Sequence, residues 1–281
     1  MRTRIRGRET ICFLVFLTIG SASLKAPVNV TRHRSTTVNS LSKGVQRSVV
    51  ILSYNDFNED HAELSNATLS KMVRCNHETY ALKHDYQYIS PAQSSTKWAA
   101  SRLVMNGIRY KTFAILSSLD DFSVIVWIDH DAIFYNMDIS VEFWLDKMHS
   151  GADVLVAEDI PGYRFNAGLQ IIRSTPWTKL FYTAIADRLL LTDIHARYVE
   201  QPIFYDLEDE VDGAKEKIQV HKPRHEFQAL LKLGTDFRES SWVVHGTKCC
   251  TSFTENVWVQ TPGCTCDLGA FIREESCRAV N

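Results

Sequence analysis

The feature that most constrains this chain is an apolar run that ends in two carboxylates, Val124 to Phe134, with the sequence VIVWIDHDAIF. β-Branched and aromatic residues fill the run up to Ile128, which is typical of a buried strand in a parallel sheet. Asp129 and Asp131 then follow at the C-terminal end of that strand, the edge at which α/β sheets bind their ligands. The run therefore predicts an α/β fold with an acidic site at the end of a central strand.

Two carboxylates one residue apart can converge on one hard cation when the backbone turns between them. Mg²⁺ and Mn²⁺ accept such oxygens and leave coordination positions for phosphate. About one Asp-x-Asp triplet is expected by chance in a chain of this length, so the spacing alone is weak evidence. The position after a strongly apolar strand is stronger evidence, because two buried acids without a partner would be costly. Metal-assisted chemistry on a diphosphate is the first hypothesis.

Strands and helices alternate along the chain. The predicted strands are 48–54, 86–89, 124–128, 153–157 and 169–173, and the predicted helices are 62–86, 98–119, 141–148 and 178–191. This βαβαβ order predicts a single α/β domain with a largely parallel central sheet flanked by helices. The domain is expected over residues 47–250, after a polar linker at 25–46 and before a cysteine-rich extension at 251–281.

The first 24 residues have the composition of a secretory targeting segment. Arg2, Arg4, Arg6 and Arg8 precede the apolar run Ile11 to Ile19, and small residues follow at 20–23. The apolar run is shorter than the roughly 20 residues that span a bilayer, but basic residues before it also suit a type II signal-anchor. We expect location in the Golgi lumen or membrane, or secretion if the segment is a cleaved signal peptide.

Sequons and cysteines agree with a lumenal chain. The sequons begin at Asn29 and Asn66. Six of the seven cysteines lie beyond the targeting segment: Cys75, Cys249, Cys250, Cys264, Cys266 and Cys277. Disulfides are expected in that compartment. A zinc cluster is the competing interpretation, although the spacing does not match the usual zinc knuckles. The net charge of −2 provides no basic surface for nucleic acid.

Three polar groups downstream of the two acids could belong to the same site. They are Asn166, Ala167 and Gly168, then Glu200 and Gln201, and finally His245, Gly246 and Lys248. The first group lies before a strand, where small residues let backbone approach a ligand. The last follows a short apolar strand and offers an imidazole for a metal and an ammonium for a phosphate. Each group also has an ordinary explanation as a turn, a solvated helix start or a packed histidine.

Taken in order, the segment Trp127-Ile128-Asp129-His130-Asp131 and these three groups resemble the nucleotide-sugar glycosyltransferases of the GT-A fold. The resemblance is greatest to the fungal Golgi α-galactosyltransferases and α-mannosyltransferases and the plant xyloglucan xylosyltransferases, glycosyltransferase family 34. The glycogenin-like and galactinol-synthase-like families share much of the same order. The sequence departs from the family pattern at His130, where a small residue is usual, in the short spacing from His245 to Lys248, and at Lys97, which precedes Trp98 instead of following it.

The resemblance implies a role for each site residue. It implies that Asp129, Asp131 and His245 bind Mn²⁺ or Mg²⁺, that Asp129, Asn166, Ala167, Gly168, Gly246 and Lys248 contact the donor, and that Gln201 and Glu200 lie beside the anomeric carbon. Gln201 would stabilise the cationic sugar of an oxocarbenium-like transition state. Front-face transfer with retention is the implied course, and Glu200 as a covalent nucleophile is the alternative.

These observations together predict a lumenal, metal-dependent glycosyltransferase that moves a hexosyl or pentosyl group from a UDP- or GDP-sugar to a glycan acceptor. An inactive GT-A protein that only binds glycan or nucleotide is one alternative, for which His130 and the short tail motif would be signs. A secreted metal-dependent phosphohydrolase is the other. It would use the same acids and histidine, but such enzymes usually carry further Asp and His ligands.

Overall fold

The structure is a computed structural model that describes residues 48–54, 64–90, 107–192, 200–230, 236–246, 251–254 and 257–260. The described residues belong to one compact unit, Val45–Asn281. The targeting segment, the linker, Lys97, Trp98, Lys248 and every cysteine predicted to form disulfides except Cys75 lie outside the described residues. The predictions made for them remain predictions. Among the helices that are described, none is long and apolar enough to cross a membrane.

The described elements follow the predicted alternation. The strands are β1 (Val49–Leu52), β2 (Gln87–Ile89), β3 (Val124–Ile128), β4 (Ala132–Phe134), β5 (Val154–Glu158), β6 (Phe165–Arg173), β7 (Ile218–His221), β8 (Gln228–Leu230), β9 (Val243–His245), β10 (Thr251–Thr254) and β11 (Val257–Gln260). The helices are α1 (Leu64–Lys83), α2 (Gly107–Ser118), α3 (Val141–Lys147), α4 (Pro176–Leu191), α5 (Glu200–Glu210), α6 (Ala214–Lys217) and α7 (Arg224–Phe227).

The main sheet described has six strands in the order β2-β1-β3-β6-β5-β7. Strands β2, β1, β3, β5 and β7 run in one direction, and β6 pairs antiparallel with both of its neighbours. The connection from Glu158 to Phe165 is too short for the crossover that a parallel pair needs, so β6 returns beside β5 in the opposite direction. The prediction of a largely parallel sheet flanked by helices is confirmed.

Strand β3 lies inside this sheet, and the side chains on both of its faces are buried. Ile125 and Trp127 share one core cluster with residues of α2 and α4. The alternate side chains, Val124, Val126 and Ile128, belong to a second cluster with residues of α1 and α3. Burial on both faces explains the unbroken apolar run, because successive strand side chains point to opposite sides.

The predicted start of β6 is wrong by several residues. The strand was expected at 169–173, with Asn166–Gly168 immediately before it, but pairing with β5 begins at Phe165. A register shift between Val156 and Ala157 lets Ala157 pair with Asn166. Small and polar residues have low strand propensity, but pairing with a buried neighbour overrides it. The three residues expected to meet the donor therefore lie on a strand.

A smaller sheet, in the order β4-β9-β8, follows the two acids. Strand β4 pairs antiparallel with β9, which places Ala132 opposite His245. Helix α1 holds β4 in position through Asn76, whose Nδ2 donates to Phe134 O (2.9 Å) and whose Oδ1 accepts from Phe134 N (2.9 Å). The ring Nε2 of His77 lies 2.8 Å from Ala132 O. This sheet brings a residue from near the end of the described chain to the acidic turn.

Candidate metal and donor site

The turn between β3 and β4 carries both acids and is held by main-chain hydrogen bonds. Asp129 N donates to Gly168 O (2.8 Å), and Ala132 N donates to Asp129 O (3.1 Å). Gly246 N donates to Asp131 O (2.6 Å). The two aspartates are therefore attached by their backbones to β6 on one side and to the end of β9 on the other.

Asp129, Asp131 and His245 converge at this turn. Each offers one ligand atom, and the three atoms lie within 4.8 Å of one another. His245 Nε2 is 3.0 Å from Asp131 Oδ1, and the side chains of His245 and Asp131 are 5% and 46% exposed. The group is thus anchored on the histidine side and open on the Asp131 side. Two carboxylates and an imidazole suit Mn²⁺ well and Mg²⁺ less well, because Mg²⁺ prefers oxygen ligands.

The charges of this group depend on one another. Burial acts to raise the pKa of Asp131, but the adjacent His245 outweighs it and holds that pKa well below the usual range. Burial acts to lower the pKa of His245, but Asp131 and Asp129 outweigh it and raise that pKa. Each of the two groups therefore favours the charged form of the other, and a divalent cation bound between them would replace the proton of the imidazole.

His130, between the two acids, adds no positive charge at neutral pH. Burial lowers the pKa of its imidazole to about 4, although Asp131 and Asp129 act in the opposite direction. The departure from the family's small residue at this position is therefore a difference in size and polarity, not in charge.

Lys111 of α2 is a site residue that the sequence analysis missed. Its Nζ lies 3.0 Å from Asp129 Oδ1 and 3.2 Å from Glu200 Oε2, and it donates to Ala167 O (3.0 Å). The side chain is 7% exposed. Lys111 therefore links one predicted metal ligand to the residues expected around the donor sugar. A lysine on the predicted apolar face, three residues after Ile108, was the signal that could have found it.

Lys111 and Glu200 also change each other's ionisation. Burial acts to lower the pKa of Lys111, but the carboxylates of Asp129 and Glu200 outweigh it and raise that pKa. Burial raises the pKa of Glu200 to about 7, with Lys111 acting against the rise. The ammonium is thus charged, while the carboxyl of Glu200 titrates near neutral pH.

Gln201, which follows Glu200 in the sequence, is fixed by a separate cluster of polar groups. Its Nε2 donates to Asp159 Oδ2 (3.1 Å) and to Tyr205 OH (2.6 Å). Its Oε1 accepts from Ala167 N (3.4 Å). Tyr205 OH in turn donates to Phe165 O (2.6 Å). Asp159 and Tyr205 were not predicted as site residues, although Tyr205 lies one helical turn after Gln201 on α5.

Asn166 and Gly168 connect the two halves of the site. Asn166 Nδ2 donates to Asp159 Oδ2 (3.4 Å), and its Oδ1 accepts from Gly168 N (2.8 Å). A Cβ atom added to Gly168 would lie 2.3 Å from Cε1 and 2.8 Å from Nδ1 of His245. The glycine is therefore required for the imidazole to pack against the strand, and the predicted approach of this backbone to a ligand remains a prediction.

Every predicted site residue among those described lies at the acidic turn or next to it. Asp129, Asp131, His245 and Gly246 surround the acidic turn, and Asn166, Ala167, Gly168, Glu200 and Gln201 adjoin it through Lys111 and β6. Lys248 lies outside the described residues.

Comparison with solved structures identifies the class of fold. A glycosyltransferase involved in the glycosylation of the major capsid of PBCV-1 is 13% identical, and the match covers 70% of this chain and 93% of that chain with a TM-score of 0.56. Galactosyltransferase LgtC, in complex with donor and acceptor sugar analogs, is 13% identical over 82% of this chain and 95% of that chain, with a TM-score of 0.47. Mouse xyloside xylosyltransferase 1 is 12% identical over 71% and 97% of the two chains, with a TM-score of 0.42.

The first of these matches, with the sheet order described above, shows that the chain has the GT-A fold. At 13% identity the likeness concerns the fold and not the identity of site residues. The sequence matches no protein-family profile and no curated protein.

Proposed function

We propose that this protein is a metal-dependent glycosyltransferase that transfers a glycosyl group from a nucleotide diphosphate sugar to a glycan acceptor. The observation that carries the proposal is the convergence of Asp129, Asp131 and His245 at the ligand-binding edge of a GT-A sheet. Membership of glycosyltransferase family 34, a UDP- or GDP-linked hexose or pentose, and a Golgi location belong to the same proposal. They are supported by the order of the motifs and by the N-terminal segment.

Asp129, Asp131 and His245 would hold Mn²⁺ or Mg²⁺, which when bound acts as a Lewis acid and neutralises the leaving diphosphate. The chain's own residues hold this arrangement in advance. Trp127 Nε1 donates to Asp129 Oδ1 (2.6 Å), the same oxygen that faces Lys111. The Asp129 carboxylate is thus fixed before any ligand arrives, and such preorganisation lowers the cost of reaching the transition state.

Gln201 is the group best placed to stabilise positive charge on the sugar. Its amide nitrogen is occupied by Asp159 and Tyr205, so its carbonyl oxygen is directed towards Ala167, on the strand expected to line the donor. An amide oxygen carries partial negative charge and can face an oxocarbenium-like carbon without forming a bond to it. This orientation supports front-face transfer with retention.

Glu200 is less suited to act as a covalent nucleophile. Its side chain is 8% exposed, and one oxygen is paired with Lys111. A nucleophile must be both ionised and within reach of the substrate, whereas burial raises the pKa of Glu200 to about 7. We assign Glu200 to holding Lys111 in position, with nucleophilic attack as the alternative.

The two alternative functions make different demands on the same site. Phosphohydrolases usually bring further acidic and histidine ligands, and the described part of the chain holds one group of this kind. An inactive binding protein would keep the fold and bind nucleotide without turnover. The distinction therefore rests on a reaction, not on binding.

The test is release of free nucleotide from a panel of UDP- and GDP-sugars, with Mn²⁺ or with EDTA. We expect Mn²⁺-dependent release by the wild type and a loss of about 100-fold or more in Asp131→Ala, because losing a ligand costs more than losing a residue that orients one. Asp138→Ala is the matched control, since Asp138 is an exposed acid paired with Lys83. Nucleotide binding without release from any donor would be explained by the binding protein or by a missing acceptor, and absence of Mn²⁺ binding would contradict the assignment of the metal ligands.

A further inference from the structure

Gln228, the first residue of β8, is a fully buried amide beside the proposed metal ligand His245. The exposed fraction of Gln228 is 0%. Its side-chain nitrogen contacts Nδ1 of the His245 ring and also lies 3.3 Å from Asn166 Oδ1. Its oxygen, Oε1, has no hydrogen-bond partner among the described residues. A buried amide with one unsatisfied oxygen is rare in folded proteins, and a functional reason should be sought.

The two ring nitrogens of His245 face different groups. Nε2 faces Asp131 at 3.0 Å, where a cation would bind, and Nδ1 faces Gln228. When Nε2 binds a cation, the ring proton must lie on Nδ1, and the ring then needs an acceptor there.

The amide of Gln228 can supply that acceptor, because its oxygen has no other partner among the described residues. With the amide nitrogen and oxygen exchanged, Oε1 accepts from Nδ1–H.

We propose that Gln228 is a positioning residue that holds the ring of His245 through Nδ1, with its amide oxygen as the acceptor when Nε2 binds a divalent cation. This inference rests on the proposed function, because it requires that His245 is a metal ligand. Residues that orient a metal-ligating histidine in this way change metal affinity even though they do not touch the metal.

The test is the affinity for Mn²⁺ without nucleotide, measured by electron paramagnetic resonance of free Mn²⁺. Gln228→Met keeps the length of the side chain but removes both polar atoms, and we expect affinity to fall by about 10- to 100-fold. Gln228→Glu keeps an acceptor for Nδ1–H, and its affinity should be close to that of the wild type. Gln170→Met is the matched control, because Gln170 is equally buried but bonds to Ala167 O and Tyr182.

The outcomes separate this inference from the proposed function. Unchanged affinity in Gln228→Met, an equal loss in Gln170→Met, or an equal loss in Gln228→Glu would each overturn the role of Gln228 and leave the metal site intact. Failure of the wild type itself to bind Mn²⁺ would overturn the proposed metal site and the role of Gln228 with it. If Gln228→Met does not fold, as judged by its thermal unfolding, a weak affinity in folded Gln228→Glu still decides against the inference.

Discussion

At the scale of single residues, Lys111 is a buried cation that depends on two carboxylates. Its ammonium is buried between the carboxylates of Asp129 and Glu200 and lies 5.5 Å from the centre of the Trp127 ring. Removing the lysine would leave two acids facing each other with little solvent. Breaking a buried ion pair from one side is costly for this reason.

Lys111→Met should therefore lower both stability and activity. We expect the free energy of unfolding to fall by about 3–5 kcal/mol, measured by urea denaturation. Lys179→Met is the control, because Lys179 pairs with Asp120 at the surface and should cost about 1 kcal/mol or less. Equal losses in the two variants would show that the Lys111 cluster does not stabilise the fold.

Gly168→Ala tests the packing of His245 against β6. The added methyl group would overlap the imidazole, so we expect a loss of about 1–3 kcal/mol in stability and weaker Mn²⁺ binding. Gly151→Ala is the control, since a Cβ there would meet its nearest neighbour at an ordinary 3.6 Å. Calorimetric titration with Mn²⁺ and thermal unfolding of both variants would check this, and wild-type affinity in Gly168→Ala would contradict it.

The raised pKa of Glu200 predicts a pH dependence of stability. Burial raises that pKa from the ordinary value of 4.5 to about 7 in the folded protein. Between these values the folded state binds more protons than the unfolded state, so Glu200 contributes less to stability as pH rises. The difference in free energy of unfolding between the wild type and Glu200→Gln should thus change across about pH 4.5–7. The wild type should lose stability relative to the variant as the pH rises. A difference in free energy of unfolding that stays constant with pH would contradict the raised pKa of Glu200.

At the scale of elements, strands were predicted correctly from the sequence where burial on both faces determines which residues they contain. The apolar residues of β3 could be assigned from their composition, because a strand buried on both faces has no polar positions. Strand β6 was harder, since its first residues are polar or small and its start is fixed by pairing with β5. Strands β7 and β8 were not predicted, because each is short and mixes polar with apolar residues.

The attachment of α1 to β4 through Asn76 predicts a local effect on the acidic turn. Asn76→Leu would leave the amide and carbonyl of Phe134 without their side-chain partner, at about 1–3 kcal/mol for each buried group. We expect faster hydrogen exchange at the Phe134 amide, whereas the amide of Ile125 in β3 should exchange at a similar rate relative to global unfolding. Lys71→Leu, an exposed change on the same helix, is the control. Unaltered exchange at Phe134 would show that α1 does not hold this strand.

At the scale of the whole molecule, the candidate site draws on both sheets and on two helices. The motif order identified the acids, Asn166–Gly168, the Glu200 pair and His245, because each is a recognisable cluster in the sequence. Lys111, Asp159, Tyr205 and Gln228 could not be found in that way. Lys111, Asp159 and Gln228 stand apart from these clusters in the sequence, and the packing of other elements brings them to the site, whereas Tyr205 lies one helical turn after Gln201 on α5.

Because the site joins separate parts of the fold, a bound cation should stabilise the whole domain. At a Mn²⁺ concentration about 100 times the dissociation constant, the expected gain is about 2.7 kcal/mol in the wild type. EDTA should remove the gain, and Asp131→Ala should show little of it. Thermal unfolding with and without Mn²⁺ would measure this, and an equal shift in the variant would point to binding elsewhere.

The contact between His245 and Asp131 joins residues 114 positions apart. A ribosome therefore releases both aspartates long before the histidine that completes the group. Nascent chains and fragments that end before β9 would carry the acids but not the imidazole, nor the strand that pairs with β4. The proposed metal centre therefore cannot be complete until β9 has been synthesised, so its assembly during translation waits for the strand that carries the imidazole.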